Sequence, residues 1–306
     1  VELVRRLTAA EPVAIVFGTA TEERRALGRL SRAGIDLGRV EPYRFPTNRS
    51  WIRDTGPTFV TRLGDQGVER EVALVDWRFN AWAKYDDWSH DNRLPARIAG
   101  ILRLRRFTAR TRGGRRIVLE GGCVDVNGQG AALTTEECLL DTVVQARNPG
   151  LGRDDMERVL RDHLGVETLI WLGRGIAGDD THGHVDDIAR FVAPRTVVAA
   201  TEADPGDVNH APLVENLARL RQARVRGGRL TVVPIPMPRP LWFGTQRLPA
   251  SYMNFYVANG LVLVPTFNDP ADRTALTRLA ALFPDRDVVG IHAGDLILGL
   301  GAIHCL

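Results

Sequence analysis

The chain repeats itself. Amphipathic stretches with helical spacing at 21–33, 86–102, 152–164, 212–224 and 271–283 begin at intervals of about 60 residues. Each closes near a glycine or proline, as at Ala33-Gly34, Leu164-Gly165 and Phe283-Pro284. Glycine admits the left-handed backbone that ends a helix, and proline has no amide to continue one. Runs rich in β-branched residues lie between them, at Val13–Phe17, Val72–Trp77, Ile117–Leu119, Thr168–Trp171, Thr196–Ala200, Leu230–Ile235, Leu261–Pro265 and Val288–Ile291. One helix with several short strands, taken five times, accounts for 306 residues and predicts a cyclic α/β array. A doubly wound sheet would need a crossover helix about every 30 residues, and the stretches 51–77 and 108–140 contain none. No low-complexity linker divides the chain, so one domain over residues 1–306 is expected.

Charge and cysteine usage narrow the function classes. The net charge is +3, with arginines scattered along the chain, which gives no footprint for nucleic acid. No apolar run approaches the roughly 18 residues of a membrane span, and the N-terminus lacks a signal-peptide pattern, so a cytoplasmic protein without a membrane partner is expected. Cys123, Cys138 and Cys305 are odd in number and far apart, which argues against a disulfide framework and a four-cysteine zinc site.

Four clusters carry chemistry. Cys305 follows the flexible stretch Gly299-Leu300-Gly301 and has His304 beside it; Gly183-His184-Val185-Asp186 sets an imidazole and a carboxylate two residues apart. Asp54 lies in the turn-forming segment Trp51-Ile52-Arg53-Asp54-Thr55-Gly56-Pro57, and Glu120 leaves a strand-like run just before Gly121-Gly122. Each has a plain structural explanation when taken alone: a buried thiol, a paired histidine, a turn-capping aspartate, a solvated glutamate. A second chemistry also stays open, because His182, His184 and Asp186 approximate a His-x-His-x-Asp zinc pattern. A metallohydrolase of that kind would contain stoichiometric zinc and lose activity to chelators. A non-catalytic guanidinium-binding protein is a third class.

Taken together and in order, Trp-x-Arg-Asp, Glu-Gly-Gly, Gly-His-x-Asp and a late glycine-rich His-Cys resemble the agmatine deiminase and bacterial-type peptidylarginine deiminase family of guanidine-modifying enzymes. The resemblance also covers Trp77–Trp82 with Lys84-Tyr85, Leu133–Leu140, Trp171–Asp180, Ala189–Val192 and Ala250–Gly260. It implies a pentein, a five-bladed α/β propeller with approximate five-fold symmetry. It further implies that Asp54 and Asp186 grip the guanidinium, Cys305 attacks its carbon, His184 moves protons and Glu120 orients His184. Such a mechanism requires no metal or organic cofactor.

The expected substrate is agmatine, or a similar alkylguanidine with a distal amine. Trp51 would flank its methylenes, the acidic pair Asp179-Asp180 would face the amine, and no arginine stands beside 179–187 to receive a carboxylate. Arg53 and Arg190 are the residues that could bind a carboxylate instead. A peptidyl-arginine or arginine derivative is the alternative substrate, and a homo-oligomer of undetermined size is admitted. The family's opening Met-Pro-x-Glu-Trp is absent, the chain stops just after Cys305, Ala302 replaces an asparagine and the 236–250 loop is short. Both ends are therefore expected to be incomplete, and substrate choice is where these departures would act.

Overall fold

Val13–Phe17 and Val40–Arg44 pair in parallel across the intervening helix Ala20–Arg32, the simplest of five related units. The computed structural model describes residues 1–63 and 70–306. In each of the next four units an antiparallel strand is added before the parallel pair. Thr58–Leu63 pairs antiparallel with Arg70–Asp76, which pairs in parallel with Arg105–Thr108 across the helix Leu94–Leu102. The same order holds for Asp125–Val126, Ala131–Thr135 and Thr168–Leu172, for Ala189–Ala193, Thr196–Thr201 and Thr231–Pro236, and for Tyr256–Ala258, Leu261–Thr266 and Asp287–His292. The helices Arg153–Leu164, His210–Gln222 and Ala271–Leu282 make the crossovers. The protein is thus a mixed α/β fold built from repeated strand-strand-helix-strand units.

Local chemistry sets these boundaries. Thr19 caps the helix Ala20–Arg32, accepting from the Glu22 amide at 3.2 Å while the Glu22 carboxylate accepts from the Thr19 amide at 3.0 Å. The helix Arg153–Leu164 stops at Gly165, whose φ of +67° suits a residue without a side chain. The central strand Leu261–Thr266 is buried at its first five positions, and Ala131–Thr135 throughout, as strands covered on both faces must be.

The N-terminal helix Glu2–Ala10 joins the two ends of the chain. Its Leu3 and Leu7 pack with Leu261 and Leu263 of the last unit and with Ile303 beyond it, and its Val4 packs with Leu30, Ile35 and Val40 of the first. A separate hydrophobic cluster of Phe79, Ala81 and Trp82, with Trp51 and Trp88 against it, lies beside the segment carrying Asp54. Among the described residues no helix is long and apolar enough to cross a membrane.

Two expected elements are corrected. The stretch 86–102 is α-helical only over Leu94–Leu102, where Pro95 opens the first turn. Ahead of it, the Asp91 side chain accepts from the amides of Asn48 and Arg49. Ile117–Leu119 forms no ladder strand beyond an isolated parallel bridge between Arg78 and Val118. There Asn148 takes the partner's place, accepting from the Val118 amide at 3.0 Å and donating to its carbonyl at 2.8 Å.

Candidate active site

The repeat explains how distant residues meet. The segments leading into the first strands of the second, third, fourth and fifth units carry Asp54, Glu120, the pair His184 and Asp186, and Asn254 respectively. Cys305 comes after the last unit, and the turns at Ile52–Thr55, Gly121–Cys123 and Val185–Asp187 pack in succession. Glycine permits that closeness. A Cβ on Gly122 would lie 2.4 Å from His184 Nδ1, and one on Gly121 would lie 2.2 Å from the Arg53 carbonyl oxygen.

His184 is the hub, 1% exposed. Its Nδ1 lies 3.8 Å from Asp54 Oδ1 and 4.0 Å from Asp186 Oδ1, and its Nε2 lies 3.7 Å from Glu120 Oε2. Burial disfavours the imidazolium, but Asp54 first, then Cys138 and Glu120, outweigh it and raise His184 well above the usual imidazole range. Burial would also raise Glu120, yet Arg147 and His184 hold it down to about 2. Arg147 stands with its Nε 3.3 Å from Glu120 Oε1, both side chains sealed from solvent.

The two aspartates differ in how many acceptor sites remain. Asp54 Oδ2 accepts from Trp82 Nε1 at 3.0 Å and its Oδ1 from the Gly122 amide at 3.0 Å. Asp186 Oδ2 is paired with His304 Nδ1 at 2.6 Å, whereas its Oδ1 is buried without a hydrogen-bond partner among the described residues. An unpaired buried carboxylate oxygen is costly unless a ligand satisfies it. Burial raises Asp186 to about 7, against the opposing pull of His184.

Cys305 keeps some solvent access. Its thiol is pushed up by burial and by the charges of Asp186, Asp187 and Asp54. Asn254 holds it in place, with Nδ2 3.0 Å from Asp187 Oδ1, 3.3 Å from Cys305 Sγ and 3.4 Å from Asp186 Oδ2. The Asn254 Oδ1 accepts from the His304 amide at 2.9 Å. Trp51 lies against the glycine-rich stretch, where a Cβ on Gly299 or Gly301 would approach its ring to 2.9 Å.

Other expected residues sit differently. Asp180 is held by Lys84 and, at 2.8 Å, by the Tyr85 hydroxyl. Asp179 turns back into its own loop, accepting from Thr181, Gly183 and the His184 amide, so it shapes the His184 segment and does not form an acidic pair with Asp180. His182 lies 2.9 Å from Asp141 Oδ2. Among the described residues, the side chains of His182, His184 and Asp186 form no common metal-ligand cluster, which corrects the zinc grouping read from their spacing. Arg190 is committed to Asp125 at 2.6 Å and to the carbonyls of Met253 and Phe255.

Sequence reasoning missed Trp82, Arg147, Asn254 and the His304–Asp186 pair. Trp82 carries a structural sign of function: Ala81, Trp82 and Ala83 have φ of +50°, +57° and +53°, an uncommon run for non-glycine residues.

Repeated α/β units here bring a thiol, a buried imidazole and carboxylates together, the groups a cysteine-dependent hydrolase uses. The chain belongs to the Porphyromonas-type peptidyl-arginine deiminase family, whose model matches residues 1–306. It is 38% identical over 330 aligned residues to the agmatine deiminase of Pseudomonas putida, covering 100% of this chain and 84% of that protein. It is 40% identical over 300 residues to the agmatine deiminase of Stutzerimonas stutzeri, covering 90% and 78% of the two. Among solved structures, the agmatine deiminase of Enterococcus faecalis superposes with a TM-score of 0.87 at 32% identity, covering 99% of this chain and 84% of the other. A structure described as the putative arginine deiminase of Porphyromonas gingivalis superposes with a TM-score of 0.85 at 33% identity, covering 99% and 86%.

Proposed function

We propose that this protein is an agmatine deiminase, hydrolysing agmatine to N-carbamoylputrescine and ammonia through a covalent cysteine intermediate. The observation that carries the reading is the buried centre where His184 Nδ1 faces both Asp54 and Asp186 and Asn254 links Asp186 to Cys305. The planar guanidinium matches the free Asp186 Oδ1 and the Asp54 carboxylate, which bind it by charge-assisted hydrogen bonds. Its positive charge offsets the anionic surroundings that hold the Cys305 thiol protonated, so substrate binding itself favours the thiolate. The thiolate attacks the guanidinium carbon to form a C–S bond. His184 gives its proton to one nitrogen, the C–N bond breaks, and ammonia leaves a thiouronium on Cys305. His184 then takes a proton from water as the water oxygen adds to the same carbon; the C–S bond breaks to return the thiolate, and the adduct's hydroxyl proton passes to solvent to leave the neutral ureido product. Glu120, anchored by Arg147, faces Nε2 and sustains the imidazolium, which leaves Nδ1 to serve the substrate side.

Agmatine is favoured over arginine by the agmatine deiminases among its relatives and by Arg190, whose guanidinium is taken up by Asp125 and backbone carbonyls. Trp51 is assigned to the methylenes and Asp180 to the distal amine. A single catalytic domain over 1–306, a five-bladed pentein arrangement, a cytoplasmic location and self-association belong to the same proposal. The test is kcat/KM for ammonia release from agmatine, free arginine and a blocked arginyl peptide. Agmatine should exceed the others by about 10²-fold or more, and a preference for either arginine substrate would overturn the assignment.

A further inference from the structure

Glu120 and His184 face a second pair of groups that the deiminase reaction leaves unused. Cys123 and Cys138 are 0% and 1% exposed. One ligand atom from each of Glu120, Cys123, Cys138 and His184 lies within 4.8 Å of the other three. Glu120 Oε2 and His184 Nε2 are buried without hydrogen-bond partners among the described residues.

The surrounding backbone fixes these donors. Cys138 lies in the short helix Glu136–Leu140, whose cap Thr135 accepts from the Cys138 amide at 3.1 Å and donates to the Gly183 carbonyl at 2.5 Å, beside His184. Thr134 donates to the Cys123 carbonyl at 2.8 Å, and the Cys123 thiol donates to the Glu120 carbonyl at 2.8 Å. Two cysteines, an imidazole and a carboxylate are ligands zinc accepts, and thiolates select such thiophilic ions over magnesium or calcium. With both thiols ionised and Glu120 a carboxylate, the cluster carries three negative charges. Arg147 offsets one of them, so a divalent cation would bring the buried centre to neutrality.

We propose that Glu120, Cys123, Cys138 and His184 form an inhibitory site for a thiophilic divalent cation such as zinc or cadmium. Ligand atoms around tetrahedral zinc sit about 3.4–3.8 Å apart, so a pair of donors at the 4.8 Å limit closes in by about 1.0–1.4 Å. Binding displaces both thiol protons and the Nε2 proton of the His184 imidazolium into solvent. It also ties up His184 Nε2 and takes the imidazole out of proton transfer. Metal binding is independent of the deiminase assignment, and only its inhibitory effect rests on that reading.

The test uses the full chain carrying Cys305→Ser, titrated with cadmium chloride. A thiolate-to-cadmium charge-transfer absorption should saturate at one equivalent and disappear when Cys123→Ser is added. In the Cys305-intact protein, Cys123→Ser should keep the basal kcat while weakening zinc inhibition by about tenfold or more. A circular-dichroism melt checks that each variant is folded, and Cys123→Ala serves as the second variant if Cys123→Ser is not. The proposal is overturned if the Cys305→Ser protein shows no such band, if the band survives Cys123→Ser, or if zinc inhibits the Cys123→Ser enzyme as it does the parent. Cadmium binding in a protein that does not deiminate agmatine would uphold the site and sink only the substrate assignment.

Discussion

Replacing Gly122 by alanine should damage catalysis through a single methyl group. Gly122 has no left-handed φ, so alanine meets no backbone strain there. The added Cβ would lie 2.4 Å from His184 Nδ1, 3.0 Å from His184 Cε1 and 3.0 Å from Asp54 Oδ1. Ordinary contact needs about 3.4 Å or more, so the ring must retreat by about 1 Å on the side that faces the substrate carboxylates. A shift of that size costs about 10²-fold in kcat. Because the Gly122 amide also holds Asp54 Oδ1, KM for agmatine should rise as well. Overpacking a buried site should lower stability by about 1–3 kcal/mol, which leaves the enzyme folded for assay. The control is Gly100→Ala, where a Cβ meets nothing within 4 Å; it should leave kcat unchanged and stabilise its helix by about 0.5–1 kcal/mol. Steady-state ammonia release with a thermal melt of each variant decides the matter. A Gly122→Ala enzyme with the parent's kcat and KM would refute the placement of His184 in the reaction.

Two further outcomes follow from the carboxylates. Asp186 is raised to about 7, and only its ionised form attracts a guanidinium, so agmatine binding to Cys305→Ser protein should weaken about tenfold per pH unit below about 7 and level off above it; calorimetric affinities that stay flat across that range would contradict this. Asp180→Asn should raise KM for agmatine by about tenfold with little change in kcat, and Lys84→Met, which releases Asp180 from its ion pair, should lower KM; an unchanged KM in both removes Asp180 from the amine site.

The periodic part of the fold was legible because helix and strand periods depend on local sequence. Val13–Phe17 matches its expected span, and four of the five expected helices appear within about two residues of their expected ends. Ile117–Leu119 misled because its apolar residues are buried as a strand's would be, while Val118 at its centre bonds to the Asn148 side chain, about 30 residues away and invisible to any local pattern. The 86–102 stretch misled because its first residues are bound to Asn48 and Arg49. For the site, motifs named the residues that bear charge or a thiol. They could not reveal the partners that set the electrostatics. Arg147, Trp82 and Asn254 reach Glu120, Asp54 and Cys305 only through folding, and Asp179 looked like a ligand-facing acid until its loop hydrogen bonds were seen.

The central claim is that Cys305 forms the covalent bond to substrate. Rapid acid quench of the enzyme during agmatine turnover, followed by peptide mass spectrometry, should find the mass of agmatine less ammonia on the peptide that contains Cys305. The adduct should be absent in Cys305→Ser and should accumulate when His184→Ala slows its hydrolysis more than its formation. An adduct on Cys123 or Cys138, or turnover that persists in Cys305→Ser, would contradict the account.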